Sequence, residues 1–166
     1  MESRLAELLH RFARPGRVAW IGLRPERRAP MAIVEQARLT EVGLKGDHSN
    51  AGKRAVTLIQ AEHLSVIGAF LGAPPIAPER LRRNLVIEGI NLLALRGEVI
   101  SVGPVSLEIT GPCAPCSRME QELGHGGYAA MRGHGGMTAR VIEGGTVQLG
   151  DELVHRSRPP NHHPTV

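Results

Sequence analysis

Apolar residues recur with two different periods along the chain. In residues 2–13, Leu5, Leu8, Leu9 and Phe12 fall at i, i+3, i+4 and i+7, one stripe of an amphipathic helix. Pro15-Gly16 ends it, because proline cannot continue the hydrogen-bond ladder. The stripe is expected to pack on a core. A membrane-surface helix is the alternative, since Arg4, Arg11 and Arg14 flank the stripe.

From Arg17 the period shortens towards two. Val18, Trp20 and Gly22 share one side of an extended run, and Ile33 to Val42 alternates apolar with polar positions. Two strands separated by an Arg/Pro-rich loop at 24–30 are expected. After the polar, glycine-containing stretch Gly43 to Gly52, Arg54-Ala-Val-Thr-Leu-Ile59 predicts a short buried strand. A helix near 61–71 follows, with Leu64, Ile67 and Leu71 on one face, and Gly72-Ala-Pro-Pro75 stops it. Strands are predicted at Asn84–Ile87, Glu98–Val102 and Val105–Thr110, with glycine corners between them. A short helix is expected within 112–123, a glycine- and histidine-rich loop at Gly124–Gly136, and a closing hairpin of 137–143 and 146–154 around Gly144-Gly145. Many short strands with glycine corners predict a mainly β barrel or sandwich. The organisation is an N-terminal helix (1–16), a β domain (17–154) with two or three short flanking helices, and a disordered tail (155–166).

The 166 residues fit one domain at about 150 residues each. The aromatic inventory is only Trp20, Tyr128, Phe12 and Phe70, so the core must be aliphatic and base stacking is a poor way to bind a ligand. No nucleic-acid motif is present, and no nucleic-acid partner is expected. Net charge is +4, and of 20 basic residues only Lys45 and Lys53 are lysine. The first 60 residues carry a net +5 and the remainder −1, so any steering of anions starts in the first third. The loop arginines Arg24, Arg27 and Arg28 are read as solvated charge. No apolar run approaches the roughly 18 residues of a membrane span, and the N-terminus has no signal-peptide core. A cytoplasmic protein without a membrane partner is expected.

Chemistry concentrates in Gly111-Pro-Cys-Ala-Pro-Cys-Ser-Arg-Met119. A helix starting after proline would bring Cys116 near unpaired amides and the positive end of the helix dipole, with Arg118 close by; each favours thiolate over thiol. Cys116 is the candidate nucleophile or soft-metal ligand, with Cys113 as second thiol. A thioredoxin-like dithiol, an inert buried pair, and a zinc site with His125 and His134 are the competing readings. The last would depart from ordinary ligand spacing, and no zinc is expected. Asp47-His48 offers an acid/base or orienting pair, against a simple turn cap.

The order of Gly43-Leu-Lys-Gly-Asp-His48, Arg54-Ala-Val-Thr-Leu-Ile59, Arg82-Arg-Asn-Leu-Val-Ile-Glu-Gly89, Gly111-Pro-Cys-Ala-Pro-Cys116 and Gly145-Thr-Val-Gln-Leu-Gly-Asp151 resembles the MOSC domain, the module named after the C-terminal part of molybdenum cofactor sulfurases. The likeness spans about residues 17–154. It implies a MOSC-type β-barrel and an association with the pyranopterin molybdenum cofactor, with a family-level link to pyridoxal phosphate. In the family the matching cysteine carries a sulfane sulfur or ligates molybdenum, a position that falls on Cys116. The Arg-x-Asn segment near the cofactor falls on Arg82 and Asn84. Lys45, Asp47, His48, Arg54, Arg82, Arg83, Asn84 and Arg118 are the expected cofactor-binding residues. The implied function is sulfur transfer through a Cys116 persulfide, taken from a donor such as a cysteine desulfurase and passed to a molybdoenzyme or cofactor acceptor, in a chain that could self-associate. The alternatives are a molybdenum-dependent reductase of N-hydroxylated compounds, with Cys116 as metal ligand, and a non-catalytic ligand-binding barrel.

Overall fold

The computed structural model describes residues 3–157. Seven strands close into a barrel in the order β11 (Glu152–Arg156), β7 (Val99–Val102), β8 (Val105–Pro112), β9 (Met137–Glu143), β5 (Val56–Gln60), β6 (Leu85–Glu88) and β1 (Gly16–Leu23). Pairing of Gly16 and Arg17 with Leu153 and Glu152 seals the seam between β1 and β11. The far half of β1 carries an eighth strand, β2 (Ala32–Val34), on the same edge. A separate sheet joins β10 (Gly145–Gln148), β3 (Gln36–Thr40) and β4 (Gly43–Leu44).

All barrel pairings are antiparallel except β5 with β6. A parallel pair needs a crossover, and here it consists of α2 (Ala61–Phe70) and the single turn α3 (Pro78–Leu81). Both strands are consequently apolar on both faces. Leu58, Leu85 and Ile87 point into the barrel with Val18, Ile21, Ile100, Leu107 and Leu153. Ile59 and Val86 point outward and meet Leu64, Ile67, Leu81, Met119 and Met131 of the helices. This second core holds α4 (Ser117–Leu123) and α5 (Gly127–Met131) on the flank that carries the thiol.

Among the described residues there are five short α-helices, the first being α1 (Arg4–Leu9). Its apolar stripe does not pack: Leu5, Leu8 and Leu9 are 66%, 51% and 62% exposed. The helix stops at Leu9, and only Phe12, in the following turn, reaches the core. The closing hairpin is also corrected. β9 pairs with β5 and β8, whereas β10 leaves the barrel and pairs with β3. Gly144-Gly145 is thus a crossing between sheets, and Gly144 lies so close to the Leu39 carbonyl that a side chain would collide with it. The expected loop 124–136 contains α5. In β1 a bulge between Val18 and Trp20 shifts the phase, so that Val18 and Ile21, not Trp20, face the barrel interior while Trp20 packs on the outer core. β11 runs to Arg156, beyond the expected limit of 154, and the rest of the expected tail, 158–166, lies outside the described residues. Among the described residues, no helix is long and apolar enough to cross a membrane.

Candidate functional site: an arginine-lined thiol cleft

Cys116 is exposed and Cys113 is buried; both are free thiols. The chain leaves β8 at Pro112, and the Cys113 amide donates to the Gly136 carbonyl at 2.8 Å. Gly136 has φ +93°, and a Cβ there would overlap the Leu58 carbonyl, so only glycine permits this approach. Cys116 then caps α4 as its last non-helical residue. Buried Met119 anchors that helix in the outer core. Arg80 of α3 braces its far end, donating to the Glu122 carboxylate at 3.2 Å and to its carbonyl at 2.8 Å.

Around the thiol lies an open cleft of about 400 Å³, lined by Arg24, Arg27, Arg28, His48, Arg82, Arg83, Ser117 and Arg118 along with Cys116. Six guanidinium groups and no carboxylate face it. Arg82 and Arg28 are the non-glycine residues with positive φ among the described residues, at 58° and 66°, a conformation with a steric cost that clusters at ligand sites. Arg82 donates to the carbonyls of Ala29 and Glu26, which ties the 24–30 loop over the cleft. Burial, then repulsion from Arg118 and Arg24, pushes the Arg82 pKa below the ordinary guanidinium value. Arg83 is 8% exposed and donates to the carbonyls of Gly135 and Leu81. Burial is the main force lowering its pKa, opposed by the nearby thiols of Cys113 and Cys116 and reinforced by Arg24 and Arg54. Among the described residues no carboxylate forms an ion pair with Arg83. Its charge therefore favours an anion in the cleft.

Beneath the cleft sits a connected polar strut. The fully enclosed Asp47 carboxylate accepts from the Arg24 amide at 2.6 Å, from the Arg24 guanidinium at 3.1 and 3.0 Å, and from Asn84 at 3.2 Å. Asn84, 0% exposed, also donates to the Gly22 carbonyl and accepts from the Thr57 amide and hydroxyl. The strut thus joins β1, β5 and β6 to Arg24. Burial opposes ionisation of Asp47, but the Arg24 hydrogen bonds and charge outweigh it and hold the carboxyl below its ordinary value.

The structure sorts the expected site residues into three groups. Cys116, His48, Arg82, Arg83 and Arg118 meet at the cleft. Asp47 and Asn84 lie enclosed behind it and position Arg24, so they do not line it. Lys45 is exposed outside the lining, as is Arg54, whose charge acts on Arg83. Asp47 and His48 do not pair with each other. His48 Nδ1 lies 2.9 Å from the Arg24 carbonyl; a carbonyl can only accept, which assigns the proton to Nδ1 and leaves Nε2 free to accept one. Arg24, Arg27 and Arg28, read from sequence as solvated charge, line the cleft, where Arg27 and Arg28 remain exposed. The signal that could have found them is their position in the most basic loop of a chain whose thiol also neighbours an arginine. His125 is exposed, and His134 sits edge-on to His63 at 4.8 Å. A second cleft, lined by Arg14, Arg17, Glu62, Glu88 and Glu152, mixes both signs of charge and holds no thiol.

The fold is a closed aliphatic barrel that carries an exposed thiol in an arginine-lined cleft. The MOSC domain model matches residues 45–154, and the chain belongs to the MOSC domain family. In fold it is similar to the YuaD protein of Bacillus subtilis (TM-score 0.75, 19% identity, covering 87% of this chain and 98% of that one). It is similar also to YiiM of Geobacillus stearothermophilus (TM-score 0.73, 17% identity, 87% and 76% covered) and to YiiM of Escherichia coli (0.69, 22%, 87% and 72%). No curated protein matches the chain.

Proposed function

We propose that the protein is a sulfur carrier that holds a sulfane sulfur on Cys116 as a persulfide. The observation that carries this reading is an exposed thiol in a cleft lined by guanidinium groups and free of carboxylates. In the loading step the Cys116 thiolate attacks the outer sulfur of a donor persulfide, of the kind a cysteine desulfurase presents. The donor S–S bond breaks, the donor leaves as thiolate, and a new S–S bond forms on Cys116. The persulfide is anionic at neutral pH, and Arg82, Arg83 and Arg118 line the space it enters. His48 Nε2 offers an acceptor for the departing proton.

Burial withholds Cys113 from a donor protein but leaves it an internal role. Its thiolate can attack the Cys116 sulfur of the persulfide, expelling hydrosulfide and forming a Cys113–Cys116 disulfide, which an external thiol then reduces. The donor set fits the molybdenum cofactor associated with MOSC domains. Arg24, Arg28 or Arg118 would hold its phosphate, and Cys116 would offer a soft sulfur ligand. When bound, that group supplies a soft metal able to take sulfur.

Incubation with a cysteine desulfurase and cysteine, followed by mass spectrometry, is expected to give an adduct of about 32 Da on Cys116. Cys116→Ser abolishes it, and Cys113→Ser retains it while slowing hydrosulfide release. An adduct elsewhere or nowhere overturns the carrier reading. Stoichiometric molybdenum in protein from a cofactor-competent host, lost on Cys116→Ser, would instead assign the reductase reading.

A further inference from the structure

At the barrel end formed by β7 and β11, two polar residues occupy positions whose strand phase belongs to the core. Glu98 lies two residues before buried Ile100, and His155 two residues after buried Leu153. Side chains two apart share a face, and the register sets His155 opposite Ile100. His10, the C-cap of α1, completes the group. The His155 Nε2 lies 2.9 Å from one Glu98 oxygen and the His10 Nε2 3.3 Å from the other. The two imidazoles stack at 5.2 Å with 10° between their planes. Phe12 leans on His155 at 5.5 Å.

We infer that His10, Glu98 and His155 form a binding site for a divalent transition ion of the zinc class, which clasps the N-terminal helix to the barrel. Their ligand atoms all lie within 4.8 Å of one another. A tetrahedral ion with N and O ligands at about 2.0–2.1 Å needs those atoms about 3.3 Å apart. The two imidazole nitrogens contact different oxygens of Glu98, at 3.3 and 2.9 Å, so a shared ion needs the carboxylate to turn and the widest ligand separation, at most 4.8 Å, to close by about 1.5 Å. His10, whose side chain is 48% exposed at a helix end, can supply the movement. Two imidazoles and one carboxylate make a mixed N/O donor set that suits zinc, nickel or copper and leaves a coordination position for water. The site runs against the sequence expectation that no zinc is bound, because it joins residues 10, 98 and 155, whose separation hides any ligand spacing. It also gives α1 a partner: its leucines are exposed, and the described links from this segment to the barrel are His10 and Phe12.

The test is calorimetric titration of the full chain with zinc chloride, in a Cys116→Ser, His162→Ala, His163→Ala background that removes the exposed thiol and the tail imidazoles. One ion per chain is expected, with the melting temperature rising by about 5–11 °C when free zinc exceeds Kd by about a hundredfold. His10→Ala and His155→Ala should each weaken binding at least about tenfold and abolish the rise. His10 is exposed and outside the core, so that variant decides the matter even if His155→Ala fails to fold. Amide exchange of residues 3–12 should slow on adding zinc. Absence of saturable binding, or binding unchanged by His10→Ala, overturns the site and leaves two imidazoles hydrogen-bonded to a carboxylate.

Discussion

Asp47 shows how much of the site depends on a residue that never faces it. Five donors converge on its carboxylate: the Arg24 amide, two guanidinium nitrogens of Arg24, Asn84 Nδ2 and the Ser49 amide. Its pKa in the folded protein lies below the ordinary value of 3.8, because these partners outweigh burial. A depressed carboxyl pKa adds stability that is complete above the unfolded pKa and is lost as pH falls through the folded one. Asp47→Asn should therefore cost about 2–3 kcal/mol at pH 7, by stranding the Arg24 charge and setting an amide NH2 against donors. That cost should begin to shrink below about pH 4, where the unfolded chain takes up the proton, and continue to fall until the pH passes the lower folded pKa. Urea denaturation at pH 7 and at pH 3 measures both values, and a difference independent of pH would contradict the account. The sequence singled out Asp47 and Asn84 as site residues without showing that they act through Arg24. Hydrogen bonds spanning 23 and 37 residues leave no periodic trace.

At the scale of elements, legibility followed how local the forces were. The helix over 61–70 was readable because Leu64 and Ile67 recur at helical spacing and Gly72-Ala-Pro-Pro75 follows. The α1 stripe had the same spacing but no core to meet, since periodicity reports amphipathicity and not the presence of a partner. The 137–154 region failed differently: two glycines look like a hairpin turn whether the chain returns on itself or crosses to another sheet. Gly68 tests propensity against packing directly. In a helix interior, alanine is more favourable than glycine by about 1 kcal/mol. Yet a Cβ at Gly68 would lie 2.3 Å from the Pro74 carbonyl oxygen, where the chain folds back on α2. Backbone on the other side cannot rotate away, so Gly68→Ala is expected to lower stability by about 1–3 kcal/mol. Thermal melting reads the sign, and a stabilised variant would show that the 73–75 turn yields.

For the whole molecule, the question is why the positive charge of the first third matters at a thiol 90 residues later. The sequence placed a net +5 in residues 1–60 and the thiol at Cys116, but neither periodicity nor motif brought them together. Barrel closure does. β1 pairs with β6, whose preceding turn carries Arg82 and Arg83, and Arg82 holds the 24–30 loop at the cleft by two backbone carbonyls. Arg24, Arg27 and Arg28 lie upstream of the matched family segment 45–154, so this part of the field belongs to the N-terminal strand and its loop. A cleft lined by one sign of charge raises the local concentration of opposite ions and hence their encounter rate, and salt screens the effect over a Debye length of about 10 Å at 0.1 M. Iodoacetate and iodoacetamide attack thiols by the same displacement and differ in charge, so their rate ratio at Cys116 reports the field and cancels the intrinsic reactivity of the thiol. The ratio should exceed that of an unstructured cysteine peptide by about 3- to 10-fold at low ionic strength and fall towards the peptide value near 1 M salt. Arg27→Gln combined with Arg28→Gln should lower it without unfolding the barrel, because both residues are exposed. A ratio equal to the peptide's at low salt would mean that the arginines are neutralised by solvent and that the cleft does not select anions.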